Sequence, residues 1–275
     1  MGKADVLFNE SGKKKKEDVE FIRKMDGEEA ENVVFVRAVA KKIKFTRVSF
    51  RFCIFDNCYF RDCVFDSCDF TGCKFTGSNL NGSSFVDCKL DYSIFERTIL
   101  DLSYVIDSLP REENLRAKVL RSLRTNFQQQ GDAPEVNKAM RLELEATKTH
   151  LKKCWHSSDK YYRNKYSDFI RIQKFTEWGV FSTLHFIWGN GESAIKLFRT
   201  FLIILAFIST WEIYNLPNAN DFHLVIDCLL KSPSIFFSVA EGTNYSKGGM
   251  TLVLFLRLVV FGLFMSILIK KISRR

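Results

Sequence analysis

Five cysteines stand at five-residue intervals, Cys53, Cys58, Cys63, Cys68 and Cys73, and Cys88 follows three intervals later. Thiolates could hold a metal, but zinc sites draw paired ligands two to four residues apart, and none of these cysteines has such a neighbour. His150, His156, His185 and His223 form no pair with zinc spacing either. The chain has no P-loop, no Gly-x-Ser-x-Gly and no Gly-x-Gly-x-x-Gly. What stands out instead is charge inside apolar runs, at Glu212 and Arg257. Such a charge faces a partner, a bundle interior or a water-filled cavity. Three readings are open: a structural pair between the two, a pore lined by Arg257 that would favour anions, or snorkelling outward. Glu241, Gly242, Thr243, Asn244 and Tyr245 follow a short apolar segment and are candidates for a pore entrance. A ring of Glu241 carboxylates could favour cations, Lys247 would oppose them at close range, and Gly242 allows a turn. Gly262 is a candidate hinge, or a point of close helix packing. No nucleophile, general base or metal cluster emerges, so the chain reads as a non-enzyme with no cofactor and no metal.

The elements that carry these residues are two apolar runs. Leu197 to Tyr214 gives 18 residues with Arg199 and Glu212 near its ends, and Met250 to Ile269 gives 20 interrupted only by Arg257. Both are long enough to span a bilayer. Lys196 and Arg199 precede the first span, and Lys270, Lys271, Arg274 and Arg275 follow the second, whereas the segment 215–249 holds only Lys231 and Lys247. The positive-inside rule then puts both termini in the cytoplasm. Between the spans, "DFHLVIDCLLKSPSIFFSVAEG" is too apolar for an ordinary exterior loop and short for a third span, as a re-entrant segment would be.

A different pattern fills residues 33–105. Large apolar residues recur every five positions from Phe35, weakly through the small Ala40, then Phe45, Phe50, Phe55 and onward to Leu100 and Val105. Two residues before each stands a small or β-branched one, among them the six cysteines, Ser78, Ser83, Ser93 and Thr98. Period five fits neither the 3.6 of a helix nor the 2 of a strand. It needs a chain that turns a corner every five residues, with one large and one small side chain inward on each face. The cysteines then read as small buried residues, and thiols in this number favour a reducing compartment over a disulfide framework.

The run "CIFDN-CYFRD-CVFDS-CDFTG-CKFTG-SNLNG" resembles the pentapeptide-repeat pattern, A/C/S/T-x-x-F/L-x in outline. The resemblance implies a right-handed, four-sided β-solenoid with four repeats per coil, here nearly four coils and about 18 Å tall at a strand spacing of about 4.8 Å. One branch of that family mimics DNA and binds topoisomerases, which requires an acidic surface. Residues 33–109 carry ten Lys+Arg against nine Asp+Glu, a balance of +1, so that role is disfavoured. Over 33–275 the chain is also similar to bacterial pentapeptide-repeat proteins that end in a two-helix, potassium-channel-like pore module. That similarity rests on the repeats, "FQQQGD", "WGNGE" at 188–192, "IFFSV" at 235–239 and "RLVVFGLFMSILIKKISRR". It implies a homo-oligomer, a tetramer, in the bacterial inner membrane, gated or assembled through its cytoplasmic repeat domain by a protein or small ligand. Potassium filters read T-x-G-Y-G, which occurs nowhere in this chain, so potassium selectivity does not carry over. An atypical pore could depolarise the membrane, as a stress or anti-phage effector would. The alternative is a non-conducting, membrane-anchored interaction scaffold.

The rest of the 275 residues is uneven. Lys+Arg number 41 against 32 Asp+Glu, for a net charge of +9, and 46% of residues are hydrophobic, which excludes a wholly disordered chain. Residues 1–32 read as a charged N-terminal segment, a solvated tail holding Lys13, Lys14, Lys15 and Lys16. Residues 33–109 are the solenoid. Residues 110–158 form a helical hairpin, with Leu115, Val119, Leu120, Leu123 and Phe127 at helical spacing, a break at Gly131-Asp132 and Pro134 in the next first turn. Residues 159–192, with interleaved aromatic and basic side chains, read as one amphipathic juxtamembrane helix. The same interleaving could bind single-stranded nucleic acid, but its place beside an apolar span favours the bilayer. Residues 193–275 are the transmembrane, pore-like domain. The fold class is thus mixed: a quadrilateral β-solenoid, then an α-helical hairpin and a two-helix membrane domain with a re-entrant helix.

Overall fold

The computed structural model describes residues 13–215, 222–240 and 245–273. The chain divides into two compact units with the boundary between Arg171 and Ile172.

The first unit begins with short strands coiled upon one another. The first coil holds β1 (Lys14–Glu17), β2 (Glu20–Phe21) and β3 (Met25–Asp26). The second holds β4 (Val33–Val36), β5 (Val39–Lys41) and β6 (Lys44–Thr46), and the third β7 (Ile54–Asp56), β8 (Tyr59–Arg61) and β9 (Val64–Asp66). β10 (Lys74–Thr76), β11 (Ser84–Val86) and β12 (Ile94–Glu96) continue the stack. Every pairing is parallel, and the faces run β1-β4-β7-β10-β12, β2-β5-β8 and β3-β6-β9-β11. A fourth face is a ladder of single bridges, Glu29–Ser49–Asp69–Lys89. This is the β-solenoid of about four turns that period five requires.

Two chemical devices make the period work. At each corner the residue two past the central apolar one adopts a left-handed backbone, as at Arg37 (φ 54°), Asn57 (φ 51°) and Asp62 (φ 54°). That conformation is costly for residues other than glycine. Corner N–H groups with a coil above them donate to it, among them Arg37 to Asp56 O at 2.9 Å, Asn57 to Thr76 O at 2.8 Å and Asp62 to Asn81 O at 3.0 Å. The second device sits in the small slot. Its side chain donates to a carbonyl 23 residues back, from thiol or hydroxyl alike: Cys58 to Phe35 O (3.3 Å), Cys73 to Phe50 O (2.8 Å), Ser78 to Phe55 O (3.0 Å), Ser83 to Phe60 O (2.7 Å). Cysteine and serine alternate there because both are small and both donate; these thiols are hydrogen-bonded donors as well as packing groups.

Burial pushes the Cys58 thiol up to about 11 from an ordinary value of 9.0, and Cys73 further up. Cys58 and Cys73 therefore stay neutral in the folded solenoid at pH values where the unfolded chain would ionise them. Stability from this source is fully present below pH 9 and falls as pH rises towards 11. The expected result is that a thiol-alkylating reagent at pH 8 modifies none of the six solenoid cysteines until the solenoid unfolds, and that unfolding is easier at pH 10 than at pH 8. Rapid labelling of native protein would contradict both the burial and the reduced, unreactive state.

The solenoid starts earlier than residue 33. β1 pairs with β4 in the register Lys16↔Phe35, so residues 14–32 are the first coil rather than a solvated tail, and the lysines of β1 form an exposed edge. Charge on an edge strand opposes pairing with another chain. This coil is one residue short: Phe21 pairs with Ala40, 19 positions on, while Met25 pairs with Phe45, 20 on.

The other end is closed by helices. Two 3₁₀ turns, Leu102–Tyr104 and Ile106–Ser108, lead into α1 (Glu113–Gln130) and α2 (Ala133–His156). Gly131 (φ 74°) is the left-handed cap of α1, Asp132 caps α2 by accepting from Glu135 N, and Pro134 lies in its first turn, as the sequence suggests. α1 lies against β12 and completes its backbone. Thr98 N donates to Asn126 Oδ1 (2.7 Å) and Thr98 O accepts from Asn126 Nδ2 (2.8 Å) and Gln130 Nε2 (2.6 Å). Phe95 N donates to Ser122 Oγ (2.8 Å), and Leu102 N to Glu135 Oε2 (3.3 Å). Beneath these bonds one continuous apolar core runs from the phenylalanine stack to Leu120, Leu123, Phe127, Val136 and Ala139. The hairpin thus buries its face on the solenoid, one of the partners open to it.

Residues 159–192 hold two helices, α3 (Lys160–Lys165) and α4 (Asp168–Trp188), rather than the single one expected. The break falls at Tyr166, whose backbone is extended (φ −117°, ψ 107°), because both segments carry their own start signals. Asp159 accepts from Tyr161 N at 3.0 Å to cap α3, and Asp168 supplies negative charge to the first turn of α4. The second unit continues with α5 (Ala194–Tyr214), α6 (Phe222–Phe236) and α7 (Lys247–Ser273).

Candidate functional site

The charged residues of the apolar runs all lie in the second unit, where α5, α6 and α7 meet around Ile208, Ile235, Phe236 and Val253. α5 and α7 are each long and apolar enough to cross a membrane. Only 17% and 11% of their most apolar stretches are buried in the chain, so neither is a core helix of the usual buried kind.

α6 is built around a proline. Pro233 has no N–H, which would leave Leu229 O without its helical partner. Ser232 fills the gap, its hydroxyl donating to Leu229 O at 2.9 Å, and is itself 2% exposed. The C-terminal end of α6 closes by the two bonds of a Schellman turn. Ser238 N donates to Ile235 O (3.0 Å) and Val239 N to Ser234 O (2.8 Å), with Ser238 left-handed at φ 58°. Phe237 O, at the negative end of the helix, is taken by Arg257. Arg257 Nη1 donates to Phe237 O and to Ser238 Oγ, each at 2.9 Å.

Arg257 and Glu212 therefore do not form the structural pair that was one of the readings: no ion pair joins them among the described residues. The reason is the turn, which offers Arg257 a carbonyl and a hydroxyl at closer quarters. Glu212 is 3% exposed near the end of α5. Tyr245, just before α7, packs against α5: its hydroxyl donates to Ile208 O at 3.1 Å and its ring lies 6.2 Å from that of Trp211. Tyr245 thus packs as a structural side chain. Glu241, Gly242, Thr243 and Asn244 lie outside the described residues. Gly262 lies within the continuous helix α7, and a Cβ built there would meet nothing within 4 Å, so no close packing within the chain requires it.

Arg257 also lines an open groove of about 720 Å³ between the three helices. Its other walls are apolar, including Leu197, Phe201, Phe237, Leu258 and Phe264.

"WGNGE" is the tight turn between α4 and α5, with Gly189, Asn190 and Gly191 all at positive φ. Ser193 caps α5 by accepting from Lys196 N. Lys270, near the end of α7, pairs with Glu192 at 3.6 Å and lies 5.7 Å from the Trp188 ring centroid. A Cβ on Gly191 would meet only the movable end of Lys270; what favours glycine there is its left-handed backbone (φ 88°). The sequence reading missed the roles of Ser232, Phe237 and Ser238. The proline inside an apolar helix was the available signal for the first.

Among known proteins, the family described as pentapeptide repeats matches residues 43–82 and 68–103. A solved pentapeptide repeat protein from the Arabidopsis thaliana thylakoid lumen is similar at 16% identity, covering 38% of this chain and 76% of that one, with a TM-score of 0.16. The plasmid-mediated fluoroquinolone resistance protein QnrB1 is similar at 18% identity, covering 30% of this chain and 56% of that one, with a TM-score of 0.12. No curated protein matches the chain. The repeats, the parallel stack and the family match together make the first part of this chain a pentapeptide-repeat β-solenoid.

Proposed function

We propose that the chain assembles as a homo-oligomeric pore, a tetramer, in the bacterial inner membrane, with the solenoid and both termini in the cytoplasm. The observation that carries this reading is α6. At fifteen residues it is about 22 Å long, short of a hydrocarbon core of about 30 Å, yet it stands between two helices long enough to span. Its irregular end is satisfied at the middle of α7 by Arg257, as backbone at membrane depth must be. α7 leaves Leu252, Phe255, Leu258 and Phe261 each about 60% exposed, surface that lipid and further copies would cover. Membrane helices associate through packing and hydrogen bonds rather than apolar contrast, so the polar groups of α6 and α7 are the features on which an assembly can be specific. The capped solenoid is a rigid unit suited to hold that assembly or to receive a cytoplasmic partner, protein or small ligand. No nucleic-acid role is proposed.

The test is to reconstitute the full chain in planar bilayers and record current under separate K⁺, Na⁺ and Cl⁻ gradients, with its stoichiometry measured in nanodiscs. Conductance from a closed ring of copies is expected. Verified insertion with no current, and a monomer or dimer in nanodiscs, would favour a non-conducting membrane-anchored scaffold.

A further inference from the structure

A helix that ends at membrane depth presents the negative end of its dipole, equivalent to about half an elementary charge, to whatever lies beyond. Left open, the end of α6 would attract a cation. In this chain that position is already filled: the guanidinium of Arg257 sits on Phe237 O and Ser238 Oγ at 2.9 Å each. A full positive charge against half a negative one leaves the end of α6 net positive.

The guanidinium has five N–H donors in a fixed plane. Nη1 makes both of these bonds, and neither Nη2 nor Nε has a protein partner among the described residues. These spare donors belong to the one charged residue on the wall of the 720 Å³ groove, whose other lining is apolar. Nothing on that wall offers a carboxylate to neutralise them. A cation entering this open groove would meet an uncompensated positive charge, and an anion would meet unused donors.

We infer that Arg257 forms an anion-binding site at the C-terminal end of α6, and that it makes the pore favour small inorganic anions of the chloride class over potassium. The selectivity half of this inference rests on the pore reading above; the binding half does not. Arg257 lies ten residues into α7, about 15 Å along the helix from Lys247. Lipid phosphates lie at the ends of a spanning helix rather than at this depth, so a free ion is the better match in size and place. Rings of Arg or Lys in a pore select anions in this way.

Two measurements on the full-length protein separate the two halves. Chloride binding is read in lipid-free detergent from the ³⁵Cl NMR linewidth, which removes any lipid phosphate as a source of the effect. Broadening by wild-type protein that is lost in Arg257→Gln and retained in Arg257→Lys is expected. Equal broadening by wild type and Arg257→Gln would overturn the site. The reversal potential is then recorded in bilayers of zwitterionic lipid under a KCl gradient. It should follow chloride in wild type and move towards potassium in Arg257→Gln by about tenfold or more in the permeability ratio. Wild-type current that follows potassium would overturn the selectivity while leaving the pore standing. Chloride broadening without any current would sink the pore reading and the selectivity with it, and leave the binding site. Thermal unfolding of Arg257→Gln close to that of wild type shows that lost binding is not lost folding; should that variant fail to fold, Arg257→Lys with Ser238→Ala, which keeps the charge and removes one fixing bond, must retain broadening if charge is what binds.

Discussion

Phe55→Ala is expected to lower the stability of the solenoid by about 3–5 kcal/mol, the usual result of truncating a buried phenylalanine where the surroundings cannot collapse. Phe55 is fully buried. Its ring stacks between Phe35 (5.3 Å) and Phe75 (4.8 Å) and meets Phe50 and Phe60 edge-on, both at 5.6 Å. The strands above and below are fixed in register by their backbone bonds, Phe35↔Phe55 and Phe55↔Phe75, so neither coil can slide to fill the space. The readout is the urea concentration at which the solenoid thiols become reactive, which follows the solenoid alone and is blind to the apolar helices. Lys74→Ala, at a half-buried position on the same face whose only side-chain tie among the described residues is a surface ion pair with Glu96, should stay within about 1 kcal/mol. A loss below about 1 kcal/mol for Phe55→Ala would mean that the stack is loosely packed.

The second large effect is expected at the helical cap. Asn126→Leu keeps the branched heavy-atom skeleton, with greater bulk, but removes the acceptor of Thr98 N, leaving that buried amide without its partner. Asn126 is fully buried, so water cannot substitute, and the loss should be about 1–3 kcal/mol. Thr98 O keeps Gln130, which limits the damage to the amide. Hydrogen exchange should quicken over residues 94–100 while β1–β6 stay protected, since each coil contacts only its neighbours. Gln129, which accepts from Arg97 N on the exposed rim at 3.1 Å, should tolerate alanine far better. If the two substitutions cost the same, the cap is held by apolar contact and its polar bonds are incidental.

The repeat was legible because period five admits few backbones: once Phe and Cys alternate in role, the corners, the faces and the parallel stacking follow. Residues 14–32 were not legible because the step from Phe21 to Met25 is four residues, which breaks the count although the chain still closes the coil. The helix break at Tyr166 was hidden because the aromatic and basic pattern runs through it without a glycine or proline. The hairpin was readable from its apolar spacing and its Gly131 cap, but the side it covers was not, since that depends on Ser122, Asn126 and Gln130 lying together on one face of α1. The two long apolar helices and the shorter helix between them were equally plain. The partner of Arg257 was hidden for a local reason. A Schellman turn is usually announced by glycine at its left-handed position, and here Ser238 holds that place. Without that signal nothing marks Phe237 O as a free acceptor, and Glu212 is the obvious mate by charge alone.

The strand register has a consequence for how the chain is made. Paired strands are 19 or 20 residues apart, and the thiol and hydroxyl bonds reach back 23. Each coil can therefore close as soon as about twenty more residues have left the ribosome, at about 5–20 residues per second. β12 ends at Glu96 and α1 at Gln130, while α5 begins only at Ala194. A completed and capped head thus precedes the first apolar helix out of the exit tunnel. The solenoid and its helical cap can therefore reach their folded form before any of the long apolar helices is available to compete for the same surface.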